Sequence, residues 1–182
     1  MRKTLLIVLL ISGFCFGQKY ELAEGFYNNG LPHAINTYKV SKNKIELIKK
    51  VEWRRNGQKR SEENFKDGKE DGKRTAWYEN GQKEDEGAYK DGRVDGLFTA
   101  WHKNGQKSGE GNYKDGKRDG LHTWWYENGN KSGEGTWKDG KRDGLSTGWY
   151  ENGQKQYEGA YKDGEEISGK CWDEDGNEKD CN

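Results

Sequence analysis

The sequence predicts an all-β fold: an elongated, single-layer antiparallel sheet of tandem 24-residue β-hairpin repeats. Three observations predict it. Tryptophans recur at 53, 77, 101, 125 and 149, always 24 residues apart. Each opens a near-copy of one heptapeptide, from Trp53-Arg54-Arg55-Asn56-Gly57-Gln58-Lys59 to Trp149-Tyr150-Glu151-Asn152-Gly153-Gln154-Lys155. Each unit also holds two turn signals, Lys103-Asn104-Gly105 and Lys114-Asp115-Gly116 in the unit that begins at Trp101. Asn-Gly and Asp-Gly between short strand-like segments are strong hairpin markers.

Composition agrees with an array rather than a globule. From Gln18 onward, Leu, Ile, Val and Phe supply only 16 of 165 residues. That scarcity alone predicts disorder. Balanced charge, 32 basic against 32 acidic residues, and strictly periodic Trp and Tyr oppose that reading. A thin, aromatic-rich spine shared between neighbouring repeats replaces an aliphatic core. Balanced charge also offers no basic field for nucleic acid.

Residues 1–17 read as a signal peptide. Arg2 and Lys3 precede a short apolar run, and Cys15-Phe16-Gly17 ends in a small residue. A lipoprotein reading is opposed by Phe14, where a small residue is expected before Cys15. The run is too short to cross a bilayer, which takes about 20 residues, and no integral membrane segment is expected after the signal is removed. The expected address is therefore exported: periplasm, cell surface or secreted. Residues 18–52 form a degenerate N-terminal cap, with a further strand expected around Ile45-Glu46-Leu47-Ile48. Residues 53–171 hold five tandem repeats, and 172–182 form a C-terminal cap. In the cap, Trp172 is one residue out of phase and Asp173-Glu174-Asp175-Gly176-Asn177 replaces the usual turn. Cys171 and Cys181 are an even pair that an oxidising compartment would bridge; two free thiols are the alternative.

Counting parity sets the expected register. Alternate side chains of a strand face opposite sides. A three-residue loop at Lys103-Asn104-Gly105 pairs Trp101 with Lys107 and gathers Leu97, Thr99, Trp101, Gly109, Gly111 and Tyr113 on one face. His102, Gln106, Ser108, Glu110 and Asn112 then share the other. Type I turns with a G1 bulge follow, with Gly57, Gly81, Gly105, Gly129 and Gly153 at positive φ. Gly92, Gly116 and Gly140 are expected at positive φ in the second turn. Gly87, Gly111, Gly135 and Gly159 leave room for rings across the strand pair.

Residues with site chemistry are few. His33, His102 and His122 do not recur, and His102 and His122 fall on the expected polar face as solvated side chains. No metal site, cofactor or catalytic set is expected. The acids are equivalent from unit to unit, whereas acid–base catalysis needs unequal, desolvated carboxylates. Asp173-Glu174-Asp175-Gly176 lacks the acids an EF-hand loop requires at its ends. The expected partner-binding residues are Tyr78, His102, Tyr126 and Tyr150, a recurring row, with Trp124 beside them; simple packing along the sheet is the alternative.

The stretches Trp77-Tyr78-Glu79-Asn80-Gly81-Gln82-Lys83, Glu86-Gly87, Tyr89-Lys90-Asp91-Gly92 and Asp95-Gly96, with their downstream copies, resemble the bacterial variant of the MORN repeat over about residues 50–164. The resemblance implies a sheet of successive hairpins with no catalytic residues. It also implies a binding or scaffolding role, the bacterial variant often being an antitoxin. The expected function is an exported, non-enzymatic repeat protein that binds a protein partner. An antitoxin or immunity-type protein neutralising a specific toxin is one alternative. A cell-envelope structural or glycan-binding protein is another.

Overall fold

The computed structural model describes residues 17–42 and 44–181; the expected signal peptide lies outside them apart from Gly17. Among the described residues, fifteen strands form one antiparallel sheet in which sequence neighbours pair, with the two-residue β5 off the main path on β4. They are β1 Lys19–Phe26, β2 Pro32–Ser41, β3 Lys44–Trp53, β4 Lys59–Lys66, β5 Lys69–Glu70, β6 Gly72–Trp77, β7 Lys83–Lys90 and β8 Arg93–Trp101. They continue with β9 Lys107–Lys114, β10 Lys117–Trp125, β11 Lys131–Lys138, β12 Lys141–Trp149, β13 Lys155–Lys162, β14 Glu165–Trp172 and β15 Glu178–Lys179. The segment around Ile45 is strand β3, so the N-terminal region continues the sheet. Among the described residues no large side chain is fully buried. In a single sheet, stability comes from strand pairing and from contacts between adjacent repeats.

The first turn of each repeat has the expected three-residue form. His102 N–H donates to Gln106 O at 2.8 Å and Gly105 N–H to His102 O at 2.9 Å, with Gly105 at φ 86°. Trp101 pairs with Lys107. Gly57, Gly81, Gly129 and Gly153 are likewise at positive φ, as are Gly92, Gly116 and Gly140.

The second turn is tighter than the first. Lys114 pairs with Lys117, leaving a two-residue loop with Asp115 at φ 50° and Gly116 at φ 82°. Both central residues at positive φ define a type I′ turn, the form Asp-Gly favours. Each such turn is tied to the repeat before it, Gly116 N–H donating to Val94 O and Gly140 N–H to Arg118 O.

The expected division of faces is overturned. Ala100 pairs with Gly109 while Trp101 pairs with Lys107, so Ser108 is an extra, unpaired residue. A β-bulge inverts side-chain parity on its strand. Leu97, Thr99 and Trp101 therefore share a face with Glu110 and Asn112. Gly109, Gly111 and Tyr113 face the other way, with Phe98 and Ala100. The same shift recurs at β3–β4, β6–β7, β10–β11 and β12–β13. The periodic Trp set and the Tyr113 and Trp137 set thus lie on opposite sides of the sheet.

The C-terminal cap keeps the turn in different residues. Asp173 N–H donates to Asn177 O, Gly176 N–H to Asp173 O, and Gly176 has φ 86°. The phase of Trp172 has a local cause. Opposite β11, strand β12 advances four residues, Arg142 to Ser146, while β11 moves two. Opposite β13, strand β14 advances only two, Glu166 to Ser168, while β13 moves one. One residue fewer in this irregularity brings Trp172 into the position Trp149 holds one repeat earlier. Cys171 and Cys181 are joined by a disulfide, and Cys171 pairs with Lys179 of β15.

Candidate functional site

One face is a strictly repeated ladder. Lys83 lies 5.3 Å from the ring centre of Trp101, Lys107 5.9 Å from Trp125 and Lys131 5.7 Å from Trp149. Each lysine also reaches the carboxylate three residues on: Lys83 to Glu86, Lys107 to Glu110, Lys131 to Glu134 and Lys155 to Glu158. The bulge residue between them makes this i,i+3 contact possible on a strand. Thr99 Oγ1 donates to Glu110 at 3.1 Å, and Thr75, Thr99 and Thr123 are buried. Leu97, Leu121 and Leu145 stand exposed beside them.

The opposite face carries a continuous ring cluster. Phe98 meets Tyr113 at 5.9 Å between ring centres, Tyr113 meets His122 at 5.1 Å, and His122 meets Trp137 at 5.2 Å. Trp124 meets Trp137 edge-on at 5.3 Å. Glycines floor the cluster. A Cβ at Gly111 would overlap the imidazole of His122, and one at Gly87 would fall 2.7 Å from Phe98. The expectation that these glycines make room for rings is met, although the rings above Gly87 and Gly111 come from Phe98 and His122. A cleft of about 240 Å³ lies among Phe98, Tyr113, Arg118, His122 and Trp124.

His122 is not solvated. It is only 3 % exposed, and its Nε2–H donates to Asn112 O at 2.8 Å. Burial pushes its pKa below the ordinary histidine value, and the nearby Arg118 charge adds to the effect. Parity counted without the bulge placed it on the polar face; the bulge in β9 brings Gly111 and Tyr113 round to the side of the sheet that His122 occupies.

Of the expected partner-binding residues, only Trp124 belongs to this cluster. Tyr78 Oη donates to Trp101 O at 2.8 Å, Tyr126 to Trp149 O at 2.7 Å and Tyr150 to Trp172 O at 2.9 Å. His102 Nε2 makes the same bond to Trp125 O at 2.8 Å. All four are half-buried and staple one repeat to the next. Asn80, Asn104 and Asn128 add a parallel row, each amide donating to a backbone carbonyl of the following turn. From sequence, Tyr113 and Trp137 are rings of the spine and not contact residues, and Arg118 has no assigned role. The available signal was departure from the repeat: Trp137 replaces Tyr113 and Tyr161, and His122 stands where Phe98 and Ser146 do.

Among the described residues, no group of three or more His, Cys, Asp or Glu comes together to hold a metal. Among them no helix is long and apolar enough to cross a membrane. No curated protein matches the chain. A family model described as the MORN repeat variant matches four successive segments, residues 70–91, 94–115, 118–139 and 142–163. The matched span contains the hairpins, the Lys–Trp ladder and the ring cluster, and the chain belongs to the MORN repeat variant family.

Proposed function

We propose that the chain is an exported, non-enzymatic binding module that holds a protein partner on its ring face. One observation carries the choice of face: two rows on the ladder face are identical in all four repeats, while two rows at the ring cluster differ from repeat to repeat. On the ladder face, Thr75, Thr99, Thr123 and Thr147 are identical, as are Glu86, Glu110, Glu134 and Glu158. On the ring face, the equivalent rows read Arg74, Phe98, His122, Ser146 and Ala76, Ala100, Trp124, Gly148. Identical residues suit a position whose task is to touch its own counterpart in the next repeat. Varied residues give one sheet a unique local surface, which specific recognition needs. Half-buried Trp and Tyr are also the side chains that anchor protein interfaces. Export is supported by the leader-like N-terminus and by the Cys171–Cys181 bridge, since disulfides persist in oxidising compartments.

The test is affinity capture followed by mass spectrometry, comparing the native chain with two variants drawn from its own repeats. Trp124→Gly installs the residue found at Gly148, and Leu121→Lys the residue found at Lys73. Capture of a protein that survives Leu121→Lys and is lost with Trp124→Gly supports the ring face. Survival in Trp124→Gly with loss in Leu121→Lys moves the site to the ladder face. Capture of cell-wall material in place of protein refutes the partner class.

A further inference from the structure

The ring face holds two guanidinium groups, and the acids beside one of them are engaged elsewhere. Arg118 and Arg142 occupy the same position in successive repeats, where Val94 precedes them and Glu166 follows. Arg118 lies 5.2 Å from the ring centre of Trp124 and 5.3 Å from that of Trp137. Arg142 lies 5.7 Å from Trp137 and 5.0 Å from Tyr161. Asp143, next to Arg142, pairs with Lys162 at 2.9 Å, and Glu166 accepts a hydrogen bond from Tyr161. Arg74, on the same face, contrasts with them: it is neutralised by Asp85 at 2.9 Å and lies 3.8 Å from Glu63. Among the described residues, neither Arg118 nor Arg142 makes an ion pair or a side-chain hydrogen bond of this kind.

We propose that Arg118 and Arg142 are a two-point binding site for the carboxylates of an acidic, extended polypeptide segment, which deepens and rests on the ring-face reading above. Each guanidinium carbon sits over aromatic rings with its donors in no side-chain ion pair, and that fork matches a carboxylate in bidentate fashion. The same placement covers ring faces that a sugar would need for stacking, which favours a peptide over a glycan. The two arginines sit two strands apart, about 10 Å at ~4.8 Å per strand. A chain in polyproline-II geometry returns side chains to one side every third residue, ~9.3 Å along its axis. Acids three residues apart in such a segment therefore meet both forks.

The probe is a synthetic peptide of Glu-Pro-Pro triplets, with Gln-Pro-Pro triplets and polygalacturonate as controls. Binding to the full chain is read by tryptophan emission, since Trp124 and Trp137 lie beneath the arginines. The Glu peptide is expected to bind and the Gln peptide not. The double variant R118V/R142V, using the residue the chain itself carries at Val94, should lose about tenfold per guanidinium removed. R118K/R142K keeps the charges without the fork and should recover only part, which decides the matter if the valine variant is poorly folded by circular dichroism. Undiminished binding in both variants, no binding of the Glu peptide, or equal binding of polygalacturonate overturns the proposal. A captured protein partner retained by R118V/R142V but lost by Trp124→Gly overturns the acidic segment while leaving the ring face as the binding surface.

Discussion

His122 lies directly over Gly111, and a Cβ at that glycine would occupy the space of the imidazole. Gly111 is not among the positive-φ residues, so its requirement is steric alone. Gly111→Ala should cost about 1–3 kcal/mol through overpacking. Gly153 provides the contrast, with φ 87° and nothing within 4 Å of a built Cβ. Gly153→Ala should cost about 1–2 kcal/mol from backbone strain. Adding His122→Ser, the residue at Ser146, should recover part of the loss in Gly111→Ala and none of the loss in Gly153→Ala. Urea unfolding of the four variants measures this.

The phenol of Tyr126 reaches the carbonyl of Trp149 at 2.7 Å, one of a row of such staples. Tyr126→Phe keeps the ring and should cost about 0.5–1.5 kcal/mol, the net value of one hydrogen bond. Tyr78→Phe should cost a similar amount, and the double variant should lose the sum, because the two sites share no partner. A binding role for these tyrosines would instead show as lost partner capture at unchanged denaturation midpoint.

The hairpins were legible because their signals are local. Asn104-Gly105 and Asp115-Gly116 each fix a turn from adjacent residues, and repetition fixes the order of strands. The division of faces was not legible, since one unpaired residue, Ser108, reverses the parity of the rest of its strand. Nothing in Lys107-Ser108-Gly109 distinguishes a bulge from a regular strand before the pairing is seen. With faces misassigned, Tyr113 was grouped with Trp101 and His122 was left in solvent. Trp124 was placed beside the correct rows of Ala100 and Gly148, because those positions belong to one strand position and parity within it is unaffected.

Burial lowers the His122 pKa, so its charged form is disfavoured in the folded chain. The unfolded chain takes up this proton first as pH falls through about 6.5. Stability from His122 is therefore full above that value and declines as pH drops toward the folded pKa. Carboxylates such as Glu110, held below the ordinary range chiefly by its hydrogen bond from the Lys107 ammonium, contribute their losses lower, from about pH 4.3 downward. The midpoint of thermal unfolding should fall between pH 7 and 5 in the native chain. It should be nearly flat over that window in His122→Phe, which places the Phe98 residue at the equivalent position. An unchanged slope in His122→Phe would remove the histidine from the account.

The Cys171–Cys181 bridge joins β14 to the segment after β15 across a separation of ten residues. Closing a loop of that size is worth about 2.7 kcal/mol in the chain-entropy model. In an array each hairpin contacts mainly its neighbours, so the loss on reduction should stay near the end. Hydrogen exchange after reduction should accelerate in β14 and β15, where the Lys155 ammonium lies over the Trp172 ring and the Trp172 carbonyl accepts the hydrogen bond of Tyr150. Exchange in β6 to β10 should change little. A Cys171→Ser/Cys181→Ser variant should reproduce the pattern without reductant. Uniform acceleration along the whole sheet would mean that the repeats unfold as one cooperative unit, and the bridge would then stabilise the entire array.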